Sequence, residues 1–243
     1  MDDAAGAVRT AIRSLLLPAL VAGCLGDFWI SGAKRSLRDR VRWLHRSSVR
    51  HAKWFGLRIR IHGDIPRGGL IVANHVSYLD IVALSAAVAC AFVSKKEVAR
   101  WPIFGLYARL GATVFVDRER RGAVAEVAGE MRDRLDAGVP LTLFPEGTST
   151  GGSDVLPFRS SLFEPVVELG CPVTACALRY SLAGGSVADE VAYWGDMTLA
   201  PHLLHLLGKT GVTLDIHFGP SSPRTGDRKT LARDLHAEVR ALL

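Results

Sequence analysis

The 243-residue sequence predicts an α/β fold, a largely parallel β-sheet flanked by helices, preceded by an N-terminal helical segment. Three observations carry this reading. From Leu57 onward, short strand-like runs alternate with helix-like stretches, the order that builds parallel sheets. Most of those runs are short and apolar throughout, as buried strands are. The composition, 49% hydrophobic and 22% charged with 24 Gly and 11 Pro, excludes a disordered chain, a collagen and a coiled coil.

The elements follow in order. Ser14 to Gly26 is an uncharged, mostly apolar stretch between Arg13 and Asp27, and Pro18 lies inside it. Extended to Ala33 it reaches the length of a membrane span, but it then includes Asp27, which costs about 2.5–3.5 kcal/mol at a bilayer centre. Met1-Asp2-Asp3 is acidic where a signal peptide is basic. From Trp29 to Trp54, Arg and Lys mix with Trp29, Leu37, Trp43, Leu44 and Trp54, and cations beside Trp and Leu suit a helix in the headgroup layer. The competing reading is a surface helix packed on its own domain. The expected division is therefore 1–56 as membrane-anchoring helices and 57–243 as an α/β domain, seated at the cytoplasmic face of a membrane carrying anionic lipids.

In the body, Leu57, Ile59 and Ile61 alternate with Arg58, Arg60 and His62 as in a half-buried strand. Buried strands are expected at Leu70–Ala73, Ala91–Ser94, Thr113–Val116, Leu141–Phe144 and Val173–Leu178, and an alternating one at Val212–Phe218. Val124, Val127, Met131 and Leu135 form one helical stripe, and Leu231, Leu235 and Val239 another.

Charge is unevenly distributed. The net charge is +6, but Ser31 to His62 holds ten Lys or Arg against Asp39 alone, so the rest is mildly acidic. A uniform basic footprint for nucleic acid is absent, and none is expected as a partner. Four scattered cysteines (Cys24, Cys90, Cys171, Cys176) do not make a disulfide scaffold and indicate a reducing compartment.

Three polar clusters begin where expected strands end: Asn74-His75-Val76-Ser77-Tyr78-Leu79-Asp80, Asp117-Arg118 and Pro145-Glu146-Gly147-Thr148. Parallel strands would bring all three to one edge of the sheet, where α/β folds place their sites. His75 and Asp80 are five apart and share no face of a continuous helix. They meet if His75 precedes a helix that Ser77 caps, because Asp80 then points back toward the helix start. Asp80 would fix the tautomer of His75 and leave its other nitrogen to take a proton from a hydroxyl.

Together, Asn-His-x4-Asp, the strand ending in Val116-Asp117-Arg118, and Phe144-Pro145-Glu146-Gly147-Thr148 resemble the motifs of the glycerolipid acyltransferases, which acylate lysophosphatidate and related lysolipids. Cys171-Pro172-Val173-Thr174 echoes their fourth motif. The resemblance runs from about Leu57 to Phe218. It implies direct transfer from an acyl thioester, acyl-CoA or acyl-carrier protein, to a lysolipid hydroxyl, with His75 as general base, Asp80 orienting it, and no covalent acyl-enzyme. No cofactor beyond that co-substrate and no metal is expected. Arg118 suits a phosphate or carboxylate headgroup. Gly147 and the backbone near Thr148 allow close approach to an anion. Glu146 is assigned to orienting Arg118 or accepting from the acceptor hydroxyl.

The chain departs from that pattern in three places. Ser149 stands where the family often has Arg, Ala112 where it has Gly, and Cys176 lies near the place of a second proline. Val155–Ser161 looks like the branch that includes the lyso-ornithine lipid acyltransferases, and Arg159 would supply the missing cation. The acceptor ranked first is 1-acylglycerol-3-phosphate, and lyso-ornithine lipid is the alternative.

Two rivals from other classes are weaker. Gly147-Thr148-Ser149-Thr150-Gly151 matches a serine-hydrolase elbow, but an elbow needs a helix straight after its serine and Gly151–Asp154 reads as loop. A non-catalytic basic membrane-binding module would make His75 dispensable. His202 and His205 have helical spacing without further ligands and read as surface or interfacial residues.

Overall fold

A computed structural model describes residues 2–117 and 123–243. The chain runs through α1 (Asp2–Ile30), α2 (Leu37–Phe55), β1 (Arg58–His62), β2 (Leu70–Ala73), α3 (Leu79–Ala87), β3 (Ala91–Lys95), α4 (Phe104–Leu110), β4 (Val114–Val116), α5 (Ala123–Asp136) and β5 (Leu141–Leu143). It continues through α6 (Glu164–Leu169), β6 (Pro172–Leu182), α7 (Val187–Glu190), α8 (Leu199–Leu207), β7 (Val212–Phe218), β8 (Ser222–Pro223) and α9 (Arg228–Ala241). The strands form one sheet in the order β1-β7-β6-β2-β5-β3-β4, with β8 on β6. Every pairing is parallel except those of β6 with β7 and with β8.

The period of two in β2 divides the core. Ile71 and Ala73 join Trp43, Leu79, Leu84, Leu178 and Ile216 in the layer that holds α2, α3 and α8. Leu70 and Val72 join Met131, Val166, Leu231 and Leu235 under α5, α6 and α9. Each expected strand is present, but β6 is longer than its apolar run, because Arg179 and Ser181 continue it antiparallel to β7. Strand β1 is more exposed than its alternation predicts, since it lies at the sheet edge.

The two N-terminal helices differ in environment. In α2, Trp43 is fully buried and its Nε1 donates to the Cys24 carbonyl at 2.7 Å. Four of its six cations are bound by other elements. Arg38 donates to the Ala137 carbonyl, Arg40 to Leu110 O at 2.8 Å, and Arg46 and Arg50 both reach Asp27 Oδ2 at 3.2 Å. These contacts show that the Trp29–Trp54 stretch does not lie wholly in a headgroup layer, since its Trp43 and most of its Arg residues are bound within the protein. Helix α2 packs on α3 as part of the body, because a Trp–Arg mixture serves equally to bury the ring and to bind the carbonyls at neighbouring helix ends.

Helix α1 is long and apolar enough to cross a membrane over Ala4–Ile30, and most of it is uncovered, including Val8, Ile12, Leu15 and Leu16. Arg9 and Arg13 dock its first half on the α8 end, Arg13 Nη1 lying 3.0 Å from Leu207 O and 2.9 Å from Lys209 O. Asp27, the charge that argued against a span, is the acid that Arg46 and Arg50 bind.

Candidate active site

Parallel β2 and β5 deliver the first and third polar clusters side by side at the carboxyl ends of their strands. Asn74 fixes the first. Its Oδ1 accepts from Leu178 N at 2.7 Å and its Nδ2 donates to Leu178 O at 3.1 Å, so the side chain continues the ladder to β6 after the β2 backbone leaves it. His75 follows immediately, and its Nδ1 lies 2.7 Å from Asp80 Oδ2.

Asp80 is fully buried. The same Oδ2 accepts from Val76 N at 2.7 Å and Ser77 N at 3.0 Å, while Oδ1 accepts from Tyr180 Oη at 2.7 Å. Four donors on one carboxylate compensate for its removal from water. The Tyr180 hydroxyl is held well above its usual pKa by burial and by Asp80, so it remains a donor. The expected geometry is thus half present: Asp80 reaches back to the Ser77 amide, but the Ser77 hydroxyl, buried and unpartnered among the described residues, does not cap α3.

Glu146 is bonded to two backbone amides. Oε1 accepts from His75 N at 2.7 Å and Oε2 from Leu156 N at 2.7 Å, and the side chain is 2% exposed. With one backbone amide on each oxygen it clamps the His75 loop to the 145–158 loop, and it is buried behind the residues that line the cavity. Burial pushes its pKa up to about 7. Gly147 turns the chain with φ +75°, and Thr148 is exposed. Arg159 Nε donates to Glu146 O at 3.2 Å, which supports the clamp rather than the cavity wall. Arg118 lies outside the described residues, and Asp117 beside it pairs with Lys96 at 2.9 Å. Ala112 takes φ +64°, the left-handed conformation that glycine adopts without strain.

Phe144 stacks on the His75 ring at 4.2 Å and 18°. Since Nδ1 is engaged by Asp80, Nε2 is the nitrogen left for the cavity of about 270 Å³ that His75 lines. It is lined as well by Gly147, Thr148 and Ser149, by Ser94 and Lys95, and by Trp101, Tyr193 and Trp194. An adjoining, almost wholly apolar cavity of about 100 Å³ shares Tyr78, Ile81, Phe92 and Phe104 and runs on to Leu44 and Phe55 of α2 and Leu17 of α1.

Two further contacts were not foreseen. Ser149 Oγ donates to the Tyr193 carbonyl and Tyr193 N donates to Val76 O at 2.9 Å, which ties the 191–195 segment to both motif loops. No helix follows Ser149 before residue 160, so no elbow forms. His202, expected at the surface, is buried with Nδ1 3.0 Å from Tyr78 Oη. Tyr180, Tyr193 and Trp194 carry no motif spacing. The alternation of β6 is the one signal that places a residue on the Asp80 side of the sheet.

Comparison with known proteins agrees with the motifs. Residues 58–179 match the family model described as Acyltransferase. A lyso-ornithine lipid O-acyltransferase of Brucella abortus (strain 2308) is 40% identical over 79% of this chain and 78% of its own. A 1-acyl-sn-glycerol-3-phosphate acyltransferase of Neisseria gonorrhoeae is 31% identical over 73% and 70%. The crystal structure of the 1-acyl-sn-glycerophosphate (LPA) acyltransferase of Thermotoga maritima shares the fold at 18% identity, with a TM-score of 0.73, covering 99% of this chain and 95% of that one. A His–Asp pair at the strand ends, the order of the motifs around it and this similarity agree: the chain belongs to the acyltransferase family.

Proposed function

We propose that the chain transfers an acyl group from a thioester, acyl-CoA or acyl-carrier protein, to the hydroxyl of a lysolipid, with His75 as general base. The observation that carries this is the 2.7 Å His75–Asp80 contact, which holds Nδ1 and turns the remaining nitrogen to a cavity open toward an apolar one. The lysolipid oxygen attacks the thioester carbonyl as His75 Nε2 takes its proton. The tetrahedral intermediate expels the thiolate, and the imidazolium returns the proton to sulfur. Asp80 stabilises the imidazolium. The backbone amides of Thr148 and Ser149, which line the cavity, are the donors for the oxyanion. Glu146 positions His75 through the backbone. The apolar cavity takes an acyl chain.

The acceptor is a lyso-ornithine lipid. The 40% identity to the Brucella protein exceeds the 31% to the Neisseria protein, which exchanges the order in which the motifs alone rank the two acceptors. The Neisseria relative keeps 1-acylglycerol-3-phosphate as a second reading. Purified enzyme given radiolabelled acyl-CoA and both lysolipids tests this: diacylated ornithine lipid as the main product supports it, and phosphatidic acid alone overturns the choice of acceptor.

We place the uncovered face of α1 in the bilayer at the cytoplasmic side, with the exposed Lys53, Arg58 and Arg60 toward anionic lipids. Leu15→Ser with Leu16→Ser in the full chain should weaken flotation with liposomes; unchanged flotation refutes the placement.

A further inference from the structure

The hydroxyl that reacts must lie at His75, and the acyl chain has the apolar cavity behind it. Whatever the acceptor carries beyond its hydroxyl therefore meets the rest of the His75 cavity lining, which includes an aromatic wall. Trp101, Tyr193 and Trp194 form it. Trp101 and Tyr193 meet edge to face at 6.5 Å and 90°. Trp194 is 44% exposed, and its Nε1 donates to Ala188 O at 2.9 Å. The polar edge of the indole is thus engaged, and its ring packs over Gly151, where an added Cβ would lie 3.3 Å away. The wall is fixed to the catalytic loops by its backbone, through Val76 O and Ser149 Oγ.

Aromatic faces carry negative potential. They attract an ammonium group and offer nothing to a phosphate. We infer that Trp101, Tyr193 and Trp194 form the headgroup subsite for a primary ammonium, so that the acceptor is recognised by its positive charge. This rests on the lyso-ornithine reading above, since an ornithine headgroup carries a side-chain ammonium of lysine-like pKa together with a carboxylate. Trp194 and Tyr193 follow the α7 segment, outside the residues that the motifs mark.

The test uses the full-length enzyme in detergent micelles with acyl-CoA and two acceptors: lyso-ornithine lipid and the same lipid with its side-chain amine acetylated. The wild type should show a KM for the free amine about tenfold lower than for the acetylated lipid. Trp194→Leu and Trp101→Leu should remove that preference by raising KM for the free amine about tenfold more than KM for the acetylated lipid. Trp194→Phe, which keeps an aromatic face, should retain most of it and shows that the altered loop still folds. Equal effects of the Leu variants on both acceptors, or none on either, overturn the subsite. If the wild type acylates both lipids equally well, the subsite fails and the acceptor reading survives. If it acylates neither, both fail together.

Discussion

The molecule contains two His–Asp pairs of nearly the same length in very different settings. His75 Nδ1 stands 2.7 Å from Asp80, and His62 Nε2 stands 2.8 Å from Asp215 on the open face of β1 and β7. Distance therefore does not make a catalytic base. The Asp80 side chain is fully buried and takes four hydrogen bonds, whereas Asp215 is 21% exposed and His62 47% exposed. Phe144 covers one face of His75, which borders a cavity; His62 instead stacks on His217 at 4.2 Å. Burial, and then His62, hold His217 below its usual pKa. The inner pair differs because the backbone of its own loop is bonded to the acid.

Substitutions break that contrast by decreasing amounts. Asp80→Asn places an NH2 group against donors, so it should lower kcat on the order of 10³-fold and cost about 3–5 kcal/mol of stability, read from turnover and denaturant melts. Asp215→Asn at the surface should change either quantity little.

Glu146→Gln sharpens the comparison through pH. The folded-state pKa of Glu146, about 7, lies above the unfolded value of 4.5, so the folded protein binds its proton more tightly. Its contribution is complete below pH 4.5 and is lost as pH rises through about 7. Wild-type stability relative to Glu146→Gln should therefore fall across that window, by on the order of 2 kcal/mol, in paired thermal melts. A flat difference contradicts the burial of this carboxyl.

Tyr180→Phe removes one donor of four and should cost about 1 kcal/mol, with a several-fold loss in kcat and little change in KM. Ala112→Gly should stabilise by about 0.5–1 kcal/mol or less, as relief of a left-handed alanine (about 1–2) outweighs glycine's added chain entropy (about 0.5–1).

Much of the site was legible because its parts are local. His75 and Asp80 lie within one loop and one helical turn, and parallel strands bring Glu146 beside them. The partners that complete it are not local. Asn74 pairs with Leu178 and Asp80 with Tyr180 across about a hundred residues, and only folding gives β6 its register on β2. At Glu146 a sequence shows a carboxylate's charge and hides the two amides bonded to it. For the same reason α2 looked like a lipid-facing helix: its Arg partners are carbonyls at the ends of other elements and an aspartate on α1. Composition resolved where the charge lies and left open whether it is neutralised.

The most direct measurement is kcat for acyl transfer to the lysolipid by His75→Ala and His62→Ala, assayed side by side with thermal melts. The account predicts a loss of about 10²–10⁴-fold for His75→Ala in folded protein and a change within about twofold for His62→Ala. Near-normal turnover by folded His75→Ala, or an equal loss in both variants, would contradict it.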